Sequence, residues 1–205
     1  MRGRDREMSD DSQSPCDARQ AGLAHHHRGK SSEHLVDKPA ILAALDIEAG
    51  QTVLDAGCGT GYMAKEFSAL VGPAGQVHAL DPDEVGIERL RREAEGTNIS
   101  ARVGDITADT GLPAAAFDLV YLSNVVHGFS PDRMEGFAAE VRRLLAPAGR
   151  LAIVEIVKRA TPVGPPLEMR LSPEELTAAM GLRPATLVDA GPCFYLQVFE
   201  NAPIA

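Results

Sequence analysis

Between Thr52 and Val71 the chain runs a short apolar stretch, Thr52-Val53-Leu54-Asp55-Ala56, into Gly57-Cys58-Gly59-Thr60-Gly61, and then into an amphipathic segment that stops at Gly72-Pro73. No other feature limits the possible folds as strongly. Aliphatic residues ending in glycines and followed by helical periodicity read as a strand, a tight turn and a helix. The unit then repeats in kind, with strands expected at 76–80, 99–103, 118–122 and 150–157 and helices at 84–95 and 132–145. Alternation at this spacing calls for right-handed crossovers and a parallel sheet covered by helices on both sides, a Rossmann-like doubly wound α/β architecture. The final section differs. A helix opening at Ser172-Pro173-Glu174-Glu175 is followed by strand-like runs at 186–189 and 194–199, joined so tightly through Gly191-Pro192 that the pair is antiparallel.

The 205 residues and 44% hydrophobic content are enough for one core and too few for two ordinary domains. Residues 1–30 are rich in Arg, Asp, Ser, Gln and Gly and are expected to be a disordered tail, leaving 31–205 as the domain. Within the tail, His25, His26 and His27 are adjacent and point apart, with no second ligand pair nearby, so no metal site is expected. Leu35, Val36, Ile41, Leu42 and Leu45 share one helical face interrupted by Pro39, which suggests one or two short lead-in helices.

A net charge of -9 argues against a broad nucleic-acid-binding surface, because such affinity comes from basic side chains displacing counterions. Arg89, Arg91 and Arg92, like Arg142 and Arg143, fall inside helical patterns as solvated faces. Cys16, Cys58 and Cys193 are widely spaced and fit neither a disulfide framework nor a metal motif, which implies a reducing compartment. No run approaches the roughly 18 apolar residues that span a bilayer, and the polar beginning does not look like a signal peptide. A cytoplasmic protein without a membrane partner is expected.

Glycines at alternate positions leave backbone exposed where a strand opens into a helix, so a ligand can approach closely there. Two acids strengthen the signal: Asp55 just before the turn, and Asp81 at the end of the second strand, about 20 residues beyond Gly61. A carboxylate at that spacing can accept both ribose hydroxyls of a nucleoside cofactor. Asp81-Pro82-Asp83-Glu84 is also a good helix start, with Asp83 the better cap.

Five segments in order, VLDAGCGTGY, HALDPDE, GDIT (104–107), FDLVYLSNVVHGF (117–129) and LLAPAGRLAIVEI (144–156), make residues 35–200 resemble the class I S-adenosylmethionine-dependent methyltransferases. Within that family the chain is similar to the small, single-domain, methyltransferase type 11-like proteins of ubiquinone and menaquinone biosynthesis. The resemblance implies a seven-stranded sheet, mostly parallel with an antiparallel last strand, and S-adenosyl-L-methionine as cofactor. It places Asp55 and the backbone of Gly57, Cys58, Gly59 and Gly61 at the methionine portion and Asp81 at the ribose. Asp105 would accept from the adenine amino group, with Pro82 and Ile106 against the ring. Ser123 and Asn124 would line the side near the reacting methyl, and Tyr62 can hydrogen-bond cofactor or substrate. Cys58 reads best as a small side chain filling space under the turn.

Methyl transfer follows from such a cofactor, and positioning supplies most of the catalysis. A base is needed only where the nucleophile must lose a proton. The best candidate is His127, since an imidazole ordinarily titrates near about 6.5; the alternative is a histidine that orients its loop. His34 is a poorer candidate. The limited lid, drawn from 31–37, 127–133 and 158–171, fits a small-molecule methyl acceptor. Three other readings compete: a cofactor-binding regulatory or partner module without turnover, a nicotinamide-dependent oxidoreductase, whose GxGxxG spacing GCGTG does not match, and an arsenite methyltransferase, which would need three thiols brought together.

Overall fold

The computed structural model of the protein describes residues 35–203. The expected tail, the His25–His27 run, Cys16 and His34 therefore lie outside the described residues. Seven strands, β1 (Thr52–Ala56), β2 (Gln76–Asp81), β3 (Ile99–Val103), β4 (Phe117–Ser123), β5 (Leu145–Ile156), β6 (Leu182–Asp189) and β7 (Phe194–Pro203), form one sheet. Its order is β3-β2-β1-β4-β5-β7-β6. Pairing is parallel from β3 through β5, whereas β7 runs antiparallel to both β5 and β6. The seven-stranded doubly wound sheet with an antiparallel last strand is thus the architecture present. A dinucleotide-binding sheet in the common order 3-2-1-4-5-6 has no such reversed strand between its fifth and sixth.

Strict alternation along the strands sorts side chains into two cores. Val53, Leu119, Tyr121, Ala152, Val154, Leu196 and Val198 face the side covered by α1 (Lys38–Leu45), α2 (Tyr62–Val71) and α3 (Glu84–Glu93). Leu54, Val120, Leu122, Leu151, Ile153, Tyr195 and Phe199 face the side covered by α4 (Pro131–Leu144) and α5 (Pro173–Met180). Most helices begin on a side-chain cap: Asp83 accepts from Val85 N, Ser130 from Arg133 N, and Ser172 with Glu175 forms a capping box. Helix α2 differs, starting at Gly61 with no side-chain cap.

Three expectations are corrected. Pro39, expected to interrupt the lead-in helical face, stands instead in the first turn of the helix found there, behind the cap Asp37. Strand β5 begins at Leu145, five residues before 150, because Leu145 already pairs with Phe117 ahead of a register shift. Strand β6 begins at Leu182, four residues before 186, since Leu182, Arg183 and Pro184 pair with β7 through register irregularities that carry no hydrophobic alternation. No helix among the described residues is long and apolar enough to cross a membrane.

Candidate active site

The strand order reverses between β1 and β4, so the crevice of this sheet opens beyond their carboxyl ends. The glycine turn stands there. Gly57, Gly59 and Gly61 have φ of +75°, +53° and +81°, which L side chains rarely adopt. A Cβ at Gly57 would stand 2.5 Å from Val125 Cγ2, and one at Gly61 would strike Leu90, so both glycines are packed closely. At Gly59 an added Cβ meets nothing within 4 Å. The exposed backbone expected of the whole turn is therefore concentrated at its centre.

Asp55 stands next to last in β1, paired with Tyr121 of β4, and is 3% exposed. Burial pushes its carboxyl up to about 7, against a hydrogen bond from the Ala64 amide in the first turn of α2 and with a smaller push from the charge of Asp81. Its Oδ2 is buried without a hydrogen-bond partner. An orphaned carboxylate oxygen at the mouth of an open glycine turn, beside an uncapped helix start, fits a cationic ligand group. Asp81 closes β2. Its Oδ2 accepts from Gly59 N at 2.8 Å and its Oδ1 from Asp83 N at 2.8 Å, so it ties the turn to the start of α3. Each oxygen keeps a second lone pair for a ligand hydroxyl. Asp83 is the cap of α3, as its position in the sequence suggests.

Asp105 follows β3. Burial alone would raise its carboxyl, but hydrogen bonds from the Thr107 amide and hydroxyl, at 2.9 and 2.8 Å, and Arg133 Nη2 at 2.9 Å hold it below the usual carboxylate range. Arg133 also donates to Thr107 Oγ1 and stacks over the Phe129 ring at 5.1 Å. Pro82 is exposed beside this cluster's strand, whereas Ile106 is 4% exposed and packs into the core with Leu80, Val126 and Phe137. Tyr62 opens α2 half-buried with Lys38 Nζ 4.9 Å over its ring, which links it to the lead-in helix. Cys58 is a buried thiol whose ionisation burial opposes, so it fills space under the turn and suits no thiolate ligand set. No cluster of metal-ligating side chains exists among the described residues.

At the end of β4, Ser123 and the following Asn124 lie half-buried, with Asn124 at φ +58°. Val126–Gly128 then form one 3₁₀ turn that carries His127. Its Nδ1 lies 2.8 Å from Oε2 of Glu155, whose side chain is 1% exposed, and Glu155 Oε1 accepts from Val126 N at 2.8 Å and His127 N at 3.3 Å. Sequence reasoning passed over Glu155 and Arg133. A signal existed for Glu155, the one charge in the apolar run Leu151–Ile156 of a central strand. For Arg133, on a solvent-facing helical position, none did. The connection 158–171 is organised from within by Arg170, 5% exposed, which donates to the carbonyls of Val157, Arg159, Val163 and Pro165 and to Thr161 Oγ1.

Residues 53–149 match the model of a family described as a methyltransferase domain. Over 121 residues the chain is 33% identical to the ubiquinone/menaquinone biosynthesis C-methyltransferase UbiE of Hahella chejuensis, covering 57% of this chain and 47% of that protein. Over 133 residues it is 40% identical to the aklanonic acid methyltransferase DauC of a Streptomyces species, covering 62% and 59%. The aligned segment spans about half the length of the curated relatives it matches. Among solved structures, a SAM dependent methyltransferase from Aquifex aeolicus superposes with a TM-score of 0.75 at 24% identity, covering 85% of this chain and 95% of that one, which is a likeness of fold.

Proposed function

We infer, from a chain whose residues 53–149 belong to the methyltransferase domain family and whose sheet is that of the class I S-adenosylmethionine-dependent enzymes, that it transfers a methyl group from S-adenosylmethionine to a small-molecule acceptor. The observation that carries this reading is the buried, partnerless Oδ2 of Asp55 beside the open centre of the glycine turn. That oxygen suits the ammonium of the methionine portion, with the backbone of Gly57, Cys58, Gly59 and Gly61 around it. The spare lone pairs of Asp81 suit the ribose hydroxyls, while Asp105, with Pro82 and Ile106 beside it, would face the adenine. Ser123, Asn124 and Tyr62 would border the reacting end. When bound, S-adenosylmethionine supplies an electrophilic methyl carbon on a sulfonium leaving group. The residues' task is then chiefly to bind and align, which brings reacting atoms together at effective molarities no free solution reaches. The relatives named for ubiquinone/menaquinone biosynthesis and for aklanonic acid support a small organic acceptor.

Calorimetric titration of the full chain with S-adenosylmethionine and S-adenosylhomocysteine, in wild type and Asp81→Ala, tests the cofactor. Saturable binding is expected in the wild type, weakened at least tenfold in the variant. A folded wild type that binds neither ligand would overturn the reading. Transfer of a labelled methyl from the donor to small molecules of a cell extract, abolished in the same variant, separates an enzyme from a binding module; no observation favours the module.

A further inference from the structure

We propose that Glu155 is a positioning residue that holds His127 as the Nδ1–H tautomer, leaving Nε2 as a proton acceptor at the mouth of the sheet. The site then takes a methyl acceptor whose attacked atom carries a proton, such as a hydroxyl or an activated C–H. The acceptor class rests on the methyltransferase reading; the tautomer does not.

Glu155 stands next to last in β5, between the fully buried Val154 and the nearly buried Ile156. An apolar side chain would serve the sheet better, since a buried carboxylate loses its hydration unless hydrogen bonds replace the water. All three of its hydrogen bonds go to one place, the Val126 and His127 amides and the His127 ring. Oε1 is occupied by two amide donors. Oε2 faces Nδ1 at 2.8 Å, and a carboxylate has no hydrogen to offer, so the ring proton sits on Nδ1. Nε2 has no hydrogen-bond partner among the described residues, and the His127 side chain is 22% exposed. The preceding Val125 packs on Gly57, which seats this turn directly against the glycine turn.

With that geometry the acceptor's proton passes to Nε2, its freed electron pair forms the bond to the methyl carbon, and the carbon–sulfur pair returns to sulfur. The imidazolium then releases its proton to water. A thioether or tertiary amine, with no proton to lose, would gain nothing from this arrangement.

The test uses the full chain labelled with ¹⁵N-histidine, with the His127 signals identified by their absence in His127→Asn. Long-range ¹H–¹⁵N spectra of the imidazole are expected to show the Nδ1–H form in the wild type. Glu155→Gln should reverse it: the amide oxygen stays on the two backbone donors, the NH₂ turns to Nδ1, and the proton moves to Nε2. A merely structural Glu155 would fix the same tautomer yet leave methyl transfer unchanged in Glu155→Gln, so the transfer assay separates the two roles. A wild-type ring that is Nε2–H, or that averages between forms, overturns the proposal whether or not the Gln variant folds. In the extract assay, Glu155→Gln and His127→Asn should keep donor binding and lose transfer by about 10²–10⁴-fold, the usual worth of a general base. Transfer at the wild-type rate in either variant, or products methylated to sulfonium or quaternary ammonium ions, also overturns it. If the wild type transfers nothing, the methyltransferase reading falls, while the spectra still decide for or against the pair.

Discussion

At the scale of single residues, Asp55 couples the proposed binding chemistry to stability. Its carboxyl titrates at about 7 in the folded chain against an ordinary value near 3.8, so the folded state holds that proton more tightly than the unfolded state does. Its contribution to stability is therefore fully present below the ordinary value and is lost as pH rises toward 7. Glu140, which hydrogen bonds from Arg143 hold down near 2, acts in the opposite sense and at lower pH, between about 2 and 4.5. Comparing wild type with Asp55→Asn isolates the first effect. The variant should gain stability over the wild type progressively from pH 4 to 7 in denaturant titrations, with a ceiling of about 4 kcal/mol set by 1.36 kcal/mol per unit. A difference that does not grow with pH would contradict a raised carboxyl. Conversely, donor binding by the wild type should weaken about 25-fold between pH 7.5 and 5.5, as the carboxylate is protonated, because a neutral acid no longer attracts an ammonium. Titration at the two pH values checks it. An acid ahead of a glycine turn is visible in the sequence; that one of its oxygens has no partner depends on how closely α2 and β4 crowd it.

Among the elements, α4 decides the shape of the crevice wall. Gly136 lies mid-helix, where alanine is the better helix former by about 1 kcal/mol. Yet a Cβ there would strike the carbonyl oxygen of Thr107, so the glycine lets α4 lie directly on the turn that presents Asp105. Gly136→Ala is accordingly expected to destabilise the chain by about 1–3 kcal/mol, as overpacking does, and to weaken donor binding; thermal unfolding and calorimetry read both. A stabilised variant would show that the contact is loose. The connection 158–171 carries a second expectation. Arg170→Lys replaces a planar fork by a point charge and cannot reach five acceptors, so a loss of about 1–3 kcal/mol is expected in denaturant unfolding. From the sequence this stretch read only as part of a limited lid. Its order comes from one side chain at its far end, and a periodicity argument has no access to contacts inside a loop.

For the whole molecule, the proposed ligand should act as a stabiliser of the native state. S-adenosylhomocysteine at 100 times its dissociation constant should add about 2.7 kcal/mol. In a chain of this size that raises the unfolding temperature by about 5–10 °C. An unshifted melting curve at saturating ligand would count against the site. The parallel sheet, the two-sided core and the antiparallel last pair were legible in the sequence because they follow from hydrophobic period, glycine placement and the shortness of the 191–192 connection, each a property of neighbours along the chain, whereas the strand order came from the structure. Asp55, the glycines and Asp81 could be picked out as candidates on the same terms, standing at or next to strand ends where the alternation stops, and His127 in the turn just past β4. What only the tertiary structure decided is which groups complete one another across the sheet. Glu155 meets His127 over a sequence separation of 28, and Arg133 meets Asp105 over the same separation, through crossovers whose side-chain directions no local pattern encodes. Hydrophobic burial is additive along the chain and so readable from it, whereas a hydrogen bond depends on two side chains arriving at one point, which only the packed fold determines.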